Sequence, residues 1–135
     1  MPVDVIWDSE DRSVLRYVIV APWTWNEFWT AFSIGNQLID AVDYRVDHIV
    51  EADLALRSAP PGMFLQLRNI YRNLHPRRGS TALIATRQSA ARTIWFRMAL
   101  AVYPSARKEF IFTDSLEDAR YQLARRREIS TPRAS

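Results

Sequence analysis

Tyr44-Arg45-Val46-Asp47-His48-Ile49-Val50-Glu51 runs through a loop to Pro60-Pro61-Gly62 and on into Met63 to His75. Val46, His48 and Val50 alternate with Asp47, Ile49 and Glu51, the period of two expected of a strand over 45–51 with one drier face. Beyond Gly62, the apolar positions Phe64, Leu67, Ile70, Tyr71 and Leu74 recur with helical period and predict a helix over 63–75. A strand, a loop and a helix within about 30 residues form a crossover unit. The strand after that helix is therefore expected to lie parallel to the first.

Working towards the N-terminus, Val3 to Trp7 and Val14 to Ala21 read as strands around the polar turn Asp8-Ser9-Glu10-Asp11, which predicts a hairpin ended by Pro22. Thr24-Trp25-Asn26-Glu27 has the form of a capping box. The helix it opens carries one apolar stripe of Trp25, Phe28, Trp29, Phe32, Ile39 and Val42. Gly35 interrupts that stripe at a cost of up to about 1 kcal/mol relative to Ala, and close packing against a neighbouring strand is the expected reason.

Towards the C-terminus, His75-Pro76-Arg77-Arg78-Gly79 is a helix stop. Ser80 to Thr86 reads as a strand, Ser89 to Tyr103 as a third helix closed by Pro104, and Lys108 to Thr113 as the last strand. Ser115 is expected to cap a final helix with Asp118 at its third position. That helix runs through Leu123 into Arg125-Arg126-Arg127, where cations favour the helix dipole, and residues 130–135 read as a frayed tail. The order is β-β-α-β-α-β-α-β-α over 1–135: a single α/β domain with a mixed, mainly parallel five-stranded sheet. Right-handed connections wind strands two to five one way, leaving strand one antiparallel at the edge and the helices mainly on one face. The polar alternation of Asp47 and Glu51 agrees, since a strand covered on both faces reads as uniformly apolar.

Composition narrows function by exclusion. The chain of 135 residues holds no cysteine, which removes disulfide, thiolate and zinc–thiolate chemistry and suits a reducing, cytoplasmic setting. Met1-Pro2-Val3-Asp4 lacks the form of a signal peptide, and no apolar run approaches the roughly 18 residues of a membrane span. Residues 1–60 carry a net charge of −6 and residues 61–135 one of +9. Two halves of one domain that neutralise each other account for this, and steering of an acidic partner is the alternative. No aromatic interleaves the basic cluster as a nucleic-acid stacking platform requires.

The order of elements, with the Trp23-Thr24-Trp25-Asn26-Glu27-Phe28 entry to the first helix, resembles the STAS domain of bacterial anti-sigma-factor antagonists. The resemblance spans residues 3–127. It implies a non-enzymatic interaction or regulatory module whose partner is another protein. Antagonists of that family carry a phosphorylated serine in an Asp-Ser-Ser-Gly motif, which falls on Ala59-Pro60-Pro61-Gly62 here. Gly62 is kept, proline stands in the acceptor position, and Ser58 lies just upstream. The resemblance thus implies partner binding around Ser58, Pro60, Pro61 and Gly62 without the phospho-switch.

The remaining candidates come from the residues themselves. Arg68 and Arg72 share a helix face, and with Arg77 and Arg78 they form a candidate clamp for an acidic partner or phosphate. His48 and His75 lack ligand-spaced neighbours, so no metal or other cofactor is expected, and Asp47, Glu51 and Asp53 read as solvated carboxylates. In the third helix Phe96, Leu100 and Tyr103 are surplus to one stripe. Either they form a ridge that pairs two copies in a homodimer, or the last helix covers them with Leu116, Ala119 and Leu123. The second functional reading is a carrier of a small apolar, lipid-like ligand, in a pocket lined by Trp23, Trp25, Trp29, Phe64 and Trp95. A cavity beside those residues favours the carrier, and a filled core the module.

Overall fold

The computed structural model describes residues 2–52, 61–84, 97–98, 100–101 and 106–130. In chain order the elements are β1 (Val3–Trp7), β2 (Val14–Ile19), α1 (Trp25–Asp40), β3 (Val46–Ala52), α2 (Met63–Arg72), β4 (Arg78–Ile84), α3 (Ala106–Glu109), β5 (Phe110–Thr113) and α4 (Leu116–Ser130). Residues 97, 98, 100 and 101 are helical too, within the expected third helix. The strands form one mixed sheet of order β1-β2-β3-β4-β5. β1 pairs antiparallel with β2, and every later pairing is parallel. The parallel β3–β4 pair is the one that the crossover unit predicts.

Local signals place the helix ends. At Thr24 the Glu27 amide donates to the hydroxyl at 3.2 Å, while the Thr24 amide donates to the Glu27 carboxylate at 3.0 Å. The Asp118 amide likewise donates to the Ser115 hydroxyl at 3.0 Å. Gly35 lies where the Tyr17 side chain of β2 meets α1, and a Cβ there would collide with the Tyr17 hydroxyl. Close approach to a strand is thus its physical reason. Two boundaries move: β4 begins at Arg78, and the chain before β5 winds into α3 instead of extending the strand.

The sheet is covered on both faces: α1 and α2 lie on one, as the winding predicts, and α4 on the other. Tyr17, Ile19, Leu15 and Val46 pack with Ala31 and Ile39 of α1. On the opposite face Ile49 and Ala82 are buried beneath Ala119 and Leu123 of α4. Side chains of this kind each contribute about 1.5–3 kcal/mol when fully buried.

The alternation in β3 misled because its polar face is buried by ion pairing. Asp47 is 1% exposed: it accepts from Arg127 Nε of α4 at 2.6 Å and from the Ser80 amide at 2.8 Å. Glu51 on the same face meets Arg16 Nε at 2.6 Å. Both carboxylates expected to be solvated are paired, and Asp53 lies outside the described residues. Leu116, Ala119 and Leu123, the residues expected to cover the third helix if no second copy does, pack on the sheet.

Candidate ligand cavity

Parallel register builds a floor. Leu15, His48, Thr81 and Phe110 lie in one row across β2 to β5, and Tyr17, Val50, Leu83 and Phe112 in the next. Alternate side chains of a strand share a face, so these rows face α1 and α2, away from α4. Between floor and helices lies a cavity of about 190 Å³. The α1 side is walled by Trp23, Trp25, Phe28, Phe32 and Asn36, and the α2 side by Met63, Leu67, Ile70 and Tyr71. Met63, Leu67, Ile70 and Leu74 recur at intervals that stay on one helix face. No residue of α2 is fully buried, because its apolar stripe faces the cavity.

The walls are tied together at their upper edge. Trp25 Nε1 donates to the Pro61 carbonyl at 2.8 Å, and Trp29 Nε1 to Gln66 Oε1 at 2.9 Å. The rings of Trp23 and Trp25 meet edge to face with centroids 4.9 Å apart, and Tyr71 meets Phe110 in the same manner at 5.5 Å. Such pairs add about 0.5–1.5 kcal/mol beyond area burial and hold aromatic walls in place.

Within this apolar lining His48 is conspicuous. Its ring lies 6.1 Å from that of Tyr17, stacked at 25°. Among the described residues neither its Nδ1 nor Trp23 Nε1 has a hydrogen-bond partner, and both are sealed from solvent. Burial lowers the His48 pKa from 6.5 to about 4, with Arg78 and His75 adding to the fall and Asp47 opposing it. The imidazole is therefore neutral at physiological pH. Burial also pushes the Tyr17 hydroxyl well above its ordinary pKa. Among the described residues no Asp, Glu, Lys or Arg lines the cavity.

The structure brings together part of each expected site. Trp23 and Trp25 line the cavity. Trp29 instead packs on Phe28 and Phe32 and bonds to α2, and Phe64 is 49% exposed on the outer face. Trp95 lies outside the described residues, as do Ser58, Pro60, Phe96 and Tyr103. Pro61 and Gly62 are exposed, and Gly62 precedes α2 at φ 84°, a conformation that glycine adopts without strain. Leu100 is helical and half-buried.

The four arginines diverge. Arg68 and Arg72 are exposed on α2, Arg77 Nη2 donates to the Ile39 carbonyl at 3.1 Å, and Arg78 pairs with Glu109 at 2.6 Å. His75 Nε2 lies 2.6 Å from the Asp40 carboxylate. Among the described residues no three His, Cys, Asp or Glu side chains converge as metal ligands, and no helix is long and apolar enough to cross a membrane.

Reading the sequence missed Tyr17, His48, Leu83, Phe110 and Phe112, all on the floor. The signal was present in β2, where Leu15, Tyr17 and Ile19 alternate with Val14, Arg16 and Val18. No family model, curated protein or solved structure matches the chain.

Proposed function

We propose that this chain is a non-enzymatic, STAS-like binding module that holds a small apolar ligand between its sheet and helices α1 and α2. The observation that carries the reading is the cavity of about 190 Å³ walled by aromatic and aliphatic side chains. An apolar cavity of about 150 Å³ suffices to admit benzene, so one of this size takes a compact ring system or a short chain. Sites of this kind, apolar with a few polar groups, are the usual form of small-molecule pockets.

The module reading joins the carrier reading at α2. Its inner face lines the cavity, while its outer face exposes Phe64, Leu65, Arg68 and Arg72. A partner protein docked on that outer face would sense occupancy through the helix. The element order and the Trp23 to Phe28 entry support a STAS-like ancestry, and proline in the acceptor position argues for ligand control in place of phosphorylation.

Calorimetric titration with naphthalene, an uncharged probe of suitable bulk, tests the carrier reading. We expect saturable binding at one site with a negative heat-capacity change, abolished by Leu83→Trp, which fills the floor. A folded wild type that gives no saturable heat would overturn it.

A further inference from the structure

The cavity is not uniformly greasy: one end holds polar side chains with no side-chain hydrogen bond among the described residues. His48 lines it, and its Nδ1 is sealed from solvent with no hydrogen-bond partner among the described residues. Tyr17 stacks on the same ring, and its hydroxyl is pinned against Gly35. Asn36, next along α1, and Thr81, opposite His48 on β4, also line the cavity. No side-chain hydrogen bond joins these four to one another or to the other described residues.

Buried polar groups are rarely left unpaired, and an unpaired one calls for a ligand or water. His75 lines the cavity, but among the described residues the charged groups near this end are already paired. Asp47 projects to the opposite face and pairs with Arg127, Arg78 pairs with Glu109, and His75 pairs with Asp40. Among the described residues an ionised head group brought here would find no unpaired counter-ion, and stranding a charge in an apolar site is strongly unfavourable.

We propose that the ligand is an uncharged amphiphile: an apolar body of benzene-like bulk or a short alkyl chain, bearing one hydroxyl, carbonyl or amide that hydrogen-bonds to His48, Tyr17, Asn36 or Thr81. This rests on the carrier reading and adds the head group. The neutral imidazole offers both a donor and an acceptor, so a hydroxyl can serve either nitrogen tautomer. The burial that holds His48 neutral also keeps it from serving as a cation for a carboxylate.

The test holds the body constant and changes the head. n-Octanol, octanamide, octanoate and octylammonium are titrated into the wild-type protein at neutral pH, with naphthalene as the headless reference. The two neutral heads should bind about a hundredfold more tightly than either ion. His48→Phe should weaken n-octanol about tenfold relative to naphthalene, and Thr81→Val provides the same comparison if the first variant fails to fold. Octanoate binding as tightly as n-octanol would overturn the proposal, as would an unchanged ratio of n-octanol to naphthalene affinity in a folded variant. Failure of naphthalene and every octyl probe would instead remove the carrier reading itself.

Discussion

Arg127→Leu tests the feature of the fold that its sequence hid. Asp47 is 1% exposed, and the substitution removes the guanidinium that donates to it at 2.6 Å and to the Ser13 carbonyl at 2.7 Å. Breaking a buried pair from one side costs about 3–5 kcal/mol, because it strands the remaining charge. Two facts move the figure to the lower end: Arg127 is itself 29% exposed, and Arg45 Nε remains 3.7 Å from the carboxylate. We expect a loss of about 3 kcal/mol from a total of about 5–15, read as a fall of roughly 12 °C in Tm at this chain length. Urea denaturation followed by tryptophan emission measures it. Asp47→Asn in the Arg127→Leu background should restore about 1–2 kcal/mol by removing the stranded charge. A single variant that loses less than about 1 kcal/mol would show the pair to be an ordinary surface contact and refute the reasoning.

Three further outcomes follow from the geometry. Gly35→Ala should destabilise despite the better helix propensity of alanine, since its Cβ meets the Tyr17 hydroxyl; in a Tyr17→Phe background most of that cost should vanish, and equal costs in both backgrounds would contradict the contact. His48 takes up its proton at about pH 4 in the native state but near 6.5 when unfolded, so its contribution is complete above pH 6.5 and fades as pH falls towards 4. Between pH 7 and 4.5 the wild type should therefore lose about 2 kcal/mol more than His48→Gln in urea melts, and parallel pH profiles would count against a buried neutral ring. Thr24→Ala should cost about 1 kcal/mol by opening the capping box at the start of α1, with a change below a few tenths showing that the cap contributes little.

Much of the fold was legible because its signals are local. Thr24 with Glu27, Ser115 with Asp118, and the helical spacing of Leu67, Ile70 and Leu74 each depend on residues within a turn or two. Right-handed winding then orders the strands with little further information. What could not be read was the partner of a charge. Asp47 looks solvated until Arg127, 80 residues away, is brought over it, and no local pattern encodes that distance. The cavity was half legible for a related reason. Trp23 and Trp25 stand out by residue type, whereas Tyr17, His48 and Leu83 become its floor only through the register of three strands. The Arg68, Arg72, Arg77 and Arg78 cluster shows the converse: residues close in sequence are drawn apart, with Arg77 turned to α1 and Arg78 to Glu109.

Proximity between a bound chain and the floor of the cavity tests the central claim most directly. With methyl groups of Ile19, Val50, Leu67 and Leu83 labelled, n-octanol added to the wild-type protein should give intermolecular nuclear Overhauser effects from its methylenes to all four residues. Those contacts should be absent in Leu83→Trp. Saturating shifts without any contact to these methyls, or contacts confined to exposed Phe64 and Leu65, would place the ligand outside the sheet and contradict the account.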